Sequence, residues 1–252
     1  MGIDSGGSDR TRAMLVLVAT LATIAYNRLA ASGYISGASP QLVSGGYPTI
    51  VTPAAYAFSI WGLIYLGLVA FSIYQLLPAN AAKFRGVRTI YILSCLLNCA
   101  WIYAFSWEQI GLCLAIIIGL AALLLLINFR LRGILPTRDT WWAQAPMGVY
   151  FGWVTAASLV NLMLYLRSAD SPMANSASVG ASILIFSAIC AVVVRLTLQN
   201  FFYPLAVAWA ATAIAVQQSG STPIVVAAAV AVIICLVTTG TFVIHLRDSS
   251  TP

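Results

Sequence analysis

Eight apolar stretches follow one another along this chain, at residues 13–31, 54–77, 87–106, 109–129, 142–166, 178–194, 200–217 and 223–245. A bilayer crossing takes about 20 residues as a helix, and backbone amides in hydrocarbon have to bond within their own segment, which favours helices. The pattern therefore predicts an all-α integral membrane protein of eight spans. Composition agrees: 61% of the residues are hydrophobic and 7% charged, where a soluble domain carries about 25% charge. A soluble enzyme, a disordered chain and a disulfide-stapled secreted domain are excluded.

Charge placement gives an orientation. With the N-terminus inside, Arg10, Arg12, Lys83, Arg85, Arg88, Arg130, Arg132, Arg138, Arg195 and Arg247 fall on the inner side, and only Arg28 and Arg167 fall outside. That bias is the positive-inside rule, and it puts both termini in the cytoplasm. The basic pI then needs no nucleic acid; membrane lipids with anionic headgroups are the expected partners. Arg10 and Arg12 before an apolar core, with Ala30-Ala31-Ser32 after it, share features with a signal peptide. Arg28 beside that site and the want of a soluble domain after it favour a retained span.

The expected organisation is a cytoplasmic tail at 1–12, a five-span bundle at 13–166, an external loop at 167–177, a three-span extension at 178–246 and a tail at 247–252. The uncharged segment 32–53, rich in Gly, Ser and Pro, reads as an ordered external loop.

No Asp, Glu, Lys or His lies at the middle of a span, so the ionisable group that proton-coupled transporters keep there is missing. Lys83 falls in an inner loop and His245 at the inner end of the last span. No acid–base pair, triad or nucleotide loop can be assembled, and no catalytic or metal-ligating set is assigned. Cys95 and Cys99 share a face at i, i+4, but the five cysteines read as small buried hydrophobes.

Aromatic and amide residues are the informative ones. Phe58, Trp61 and Tyr65 lie at i, i+3, i+7 in the second span, and Asn98, Trp101 and Phe105 do the same in the third. Tyr150, Trp153, Ala157 and Asn161 continue the pattern in the fifth, each set on one helix face. Such faces suit either plain packing or a box for a large planar apolar ligand, where stacking supplies contact and amides fix orientation. Trp107, Trp141 and Trp142, at span ends, read as interfacial belt residues. Gly148, Gly152 and Ala156 allow close helix approach, inside one chain or across a homodimer.

These residues resemble a known family. Pro53 with Trp61 and Tyr65, then Asn98-x-x-Trp101-x-x-x-Phe105, then Tyr150-x-x-Trp153 with Ala157 and Asn161, resemble the second-, third- and fifth-helix signatures of the TspO/MBR family of tryptophan-rich sensory and translocator proteins. The matches fall in order over residues 12–167. Val149 stands where the family usually has proline before the tyrosine, and the chain looks like a longer bacterial-type subgroup with additional helices.

The resemblance implies a five-helix bundle with a pocket lined or supported by Trp61, Tyr65, Asn98, Trp101, Phe105, Tyr150, Trp153, Ala157 and Asn161. It implies a receptor or carrier in a bacterial inner membrane for a tetrapyrrole (porphyrin or haem) or a sterol- or carotenoid-like lipid. A passive transporter, or a structural subunit of a larger membrane complex, are the other readings. No cofactor is assigned beyond such a bound tetrapyrrole or lipid.

Overall fold

A computed structural model describes residues 5–37, 39–133 and 137–248. Every long element is a helix: α1 (Ser5–Ala31), α2 (Pro40–Gly46), α3 (Ile60–Tyr74), α4 (Arg85–Ser106), α5 (Ile110–Leu131), α6 (Ala145–Ser168), α7 (Ala177–Leu198), α8 (Tyr203–Gln217) and α9 (Thr222–Asp248). A 3₁₀ turn at Ala55–Ser59 opens the second span, and a π turn at Thr140–Gln144 leads into α6. The side chains of His245 and Arg247 lie outside the described residues.

Seven of the expected spans contain helices long and apolar enough to cross a bilayer. The stretch at 200–217 is the exception, because its helix runs only from Tyr203 to Gln217, 15 residues. At 1.5 Å per residue that is about 22 Å, against roughly 30 Å of hydrocarbon. Nine of its residues, from Tyr203 to Ile214, are buried among neighbouring helices. A helix shielded by protein at its ends need not match the lipid thickness.

The chain divides into two compact units. One comprises 1–43 and 61–147, the other 44–60 and 148–252. In the first, α4 packs on α1 and on α5. Its seam is polar, running along α1 at Ala13, Thr20, Thr23 and Asn27, one helix face. Gln75 donates to the Ala13 carbonyl at 2.8 Å. The Thr20 hydroxyl, 1% exposed, donates to Val16 O and lies 2.7 Å from both Ser72 Oγ and Tyr91 OH. Near the start of α4 the buried Arg88 guanidinium donates to Gln75, Ala81 O and Asp9 O, and Asp9 pairs with Arg85. Asp139, fully buried, takes Lys83 at 2.5 Å and the Tyr74 hydroxyl at 2.8 Å.

The second unit packs by smallness. A Cβ on Gly148 would overlap the Asn200 side chain, and one on Gly152 would overlap the Tyr203 carbonyl. The GxxxG face is thus spent inside the unit, seating α6 against the start of α8. A Cβ on Gly180 would come within 2.7 Å of Ile50 and 2.8 Å of Ile224. Five of the six alanines of α8 (Ala206, Ala208, Ala210, Ala211, Ala213) are buried, and α8 packs against α7 and α9.

Candidate functional site

Stacked rings join α3 and α4 in the first unit. Tyr65 stacks on Trp61 with centroids 5.4 Å apart and planes 24° apart. Trp61 lies 6.3 Å from Trp101 at 31°, and Trp101 lies 5.2 Å from Phe105 at 26°. The result is a four-ring ladder across α3 and α4, stacked within each helix and tilted where Trp61 meets Trp101 between them. The i, i+4 spacings Trp61–Tyr65 and Trp101–Phe105 produce it, because one helical turn sets two rings side by side. Trp101 and Phe105 are 4% and 3% exposed, while Trp61 and Tyr65 are half-buried and keep open surface.

Beside the ladder stands an amide pair. Asn98, buried, accepts from Asn27 at 2.7 Å, and the same Asn27 amide also donates to Thr23 O. Amides buried among apolar helices need such partners. At the next position of α4, the Cys99 thiol lies 3.7 Å from Thr23 Oγ1.

Residues of the fifth-span pattern lie in the second unit. Tyr150, Trp153 and Asn161 are buried and Ala157 is half-buried. Phe58 meets Trp153 edge-on at 6.3 Å and 77°, and the Asn161 amide donates to Ala157 O at 2.8 Å. So the structure gathers Trp61, Tyr65, Asn98, Trp101 and Phe105 in one unit, and Phe58 and Trp153 in the other. Trp107, Trp141 and Trp142 are about half exposed.

Sequence reasoning missed Asn27, the partner of Asn98. The polar positions Thr20, Thr23 and Asn27 at i, i+3, i+7 in an otherwise apolar span were the available signal. It also missed how the loop before α3 is held. Ile50 N donates to Ala174 O, Ala54 N to Ala213 O, Gln218 Nε2 to Thr49 O, and Trp209 Nε1 to Ala57 O. Tyr56 packs edge-on against Trp209 at 5.4 Å. The helices beyond residue 177 therefore help seat the segment 49–58 that leads into α3.

No group of three or more His, Cys, Asp or Glu that would hold a metal ion occurs among the described residues. No curated protein and no solved structure matches the chain. A family model described as TSPO-like protein matches residues 13–242. That match runs well past the fifth span and takes in α7, α8 and most of α9. This all-helical membrane chain belongs to the TSPO-like protein family.

Proposed function

We propose that the protein binds a large planar apolar ligand in the membrane, as a receptor or carrier, with a tetrapyrrole as the first choice and a sterol- or carotenoid-like lipid next. The observation that carries this reading is the four-ring ladder. Its two stacked pairs and the half-exposed faces of Trp61 and Tyr65 offer a stacking platform of the kind a macrocycle matches. Family membership supports it. Asn98, held in place by Asn27, is the neutral group that orients the ligand. Tyr65, Trp101 and Phe105 complete the platform, and Tyr150, Trp153, Ala157 and Asn161 are the second set of ligand-binding residues. Binding is by shape and stacking, with no coupling charge at mid-span.

Eight crossings with both termini cytoplasmic belong to the same proposal. Within the second unit, α8 begins beside Gly148 and Tyr203 lies at Gly152, at the start of α6. It ends where Ala213 and Gln218 bond the 49–54 loop, itself bonded to Ala174 beyond the end of α6. Short as it is, α8 runs from beside Gly152 of α6 to the 49–54 loop, which supports counting it as a crossing.

Titration of intrinsic tryptophan fluorescence with protoporphyrin, haem and a carotenoid tests the reading. Saturable quenching is expected with at least one of them. Trp61→Leu should weaken it by about tenfold, since a lost ring stack with its contact area is worth on the order of 1–2 kcal/mol. Trp153→Phe reads the second set. Quenching that never saturates, or that ignores both substitutions, overturns the proposal.

A further inference from the structure

The second unit is nearly free of charge, yet it fixes one guanidinium firmly. Arg195 lies in the last turn of α7, half-buried, at the end of the unit that the positive-inside pattern assigns to the cytoplasm. Its Nε donates to Thr241 Oγ1 at 3.0 Å. The Thr241 hydroxyl in turn donates to Thr238 O at 2.7 Å, so its oxygen is free to accept from the arginine. The guanidinium lies over the Phe201 ring, its carbon 4.0 Å from the centroid. One face and one edge are thus engaged, and neither contact brings negative charge.

Among the described residues, no carboxylate forms an ion pair with Arg195. The inner cations of the first unit differ. Lys83 meets Asp139, and Arg85 and Arg88 meet Asp9. Arg132 also lies over a ring, that of Phe129, but it is exposed and, among the described residues, no hydrogen bond fixes it. Of the second unit's carboxylates, Asp170 falls in the turn after α6, at the opposite end, and the side chain of Asp248, at the end of α9, lies outside the described residues. A half-buried charge in a weakly polar setting is costly without a counter-ion. A planar fork locked at its Nε edge and on its face presents the two terminal nitrogens in the geometry that grips a phosphate with two parallel hydrogen bonds.

We propose that Arg195 is a built phosphate site, with the phosphodiester of an anionic phospholipid in the cytoplasmic leaflet as its ligand. Thr241 and Phe201 are its positioning residues. The site is independent of the aromatic ladder and stands whether or not a tetrapyrrole binds there.

Native mass spectrometry of the full chain in detergent, titrated with phosphatidylglycerol, reads the first lipid retained. Arg195→Gln should weaken that first binding step by about tenfold, the loss of a charge-assisted pair of hydrogen bonds. Arg195→Lys, which keeps the charge and loses the fork, should fall in between. Phe201→Leu and Thr241→Val keep the charge and free the fork, and each should weaken binding by roughly threefold. They carry the test if Arg195→Gln does not fold. Inorganic phosphate is the competing probe. Displacement of the lipid by millimolar phosphate, dependent on Arg195, supports a phosphate site and names the free anion as a ligand; no displacement supports the lipid. First-lipid affinity that is the same in wild type and in all four variants overturns the proposal.

Discussion

The two units solve one problem, holding apolar helices together in a solvent as apolar as themselves, by opposite means. The first bonds its helices through side chains: Thr20 to Tyr91 and Ser72, Asn27 to Asn98, Gln75 and Arg88 to each other and to backbone. It also buries ionised groups, Arg88 at 1% and Asp139 at 0% exposure. The second removes side chains where helices meet, at Gly148, Gly152, Gly180 and the alanines of α8, and lets a neighbouring side chain or, at Gly152, the Tyr203 carbonyl fill the space. Both routes work in lipid because dispersion and hydrogen bonding replace a hydrophobic drive that is absent there. Polar locks specify register and direction; small residues specify distance. The ladder of rings, which needs α3 and α4 fixed in register, sits in the unit with the locks.

The comparison breaks most readily at Gly152. Leucine there would collide with the Tyr203 carbonyl, a backbone atom that no rotamer change can move, and overpacking should cost about 3 kcal/mol or more. Detergent thermal denaturation should show a large fall in midpoint or loss of folded protein. Gly62→Leu, where a Cβ meets nothing within 4 Å, is the control and should stay within about 0.5 kcal/mol.

Thr20→Val sharpens the other side. The swap keeps shape but strands the Tyr91 and Ser72 hydroxyls, for a cost of roughly 1–2 kcal/mol. Adding Tyr91→Phe should return part of that loss, and a double-mutant cycle with no coupling would count against the lock. Asn27→Leu should cost about 1 kcal/mol and leave Asn98 without its amide donor, which ligand affinity should register as well as stability. Least affected should be Arg85→Gln. Its side chain is 55% exposed opposite Asp9, and a surface pair of that kind is worth less than about 1 kcal/mol.

Much of this was legible in one sequence because membrane helices declare themselves by length and hydropathy. The third span was expected at 87–106 and is Arg85–Ser106; the fourth, expected at 109–129, is Ile110–Leu131. The ladder was half legible: spacing puts Trp61 with Tyr65 and Trp101 with Phe105, but only the fold brings Trp61 to Trp101. Partners far apart in the chain leave no local trace. Asn27 and Asn98 are 71 residues apart, and nothing near Gly152 announces that Tyr203 will fill its empty space. The 3₁₀ turn at Ala55–Ser59 was hidden for a related reason. Its start, Ala54, donates its backbone N–H to the Ala213 carbonyl on a distant helix.

Circular dichroism in the Soret region, during titration of the detergent-solubilised protein with protoporphyrin, tests the central claim most directly. A macrocycle held against an asymmetric ladder of rings acquires a signal it lacks when free in a micelle. The account predicts a saturable induced band at one ligand per chain, strongly reduced in Trp61→Leu. An induced band that persists unchanged in Trp61→Leu, or no band at saturating porphyrin, would contradict it.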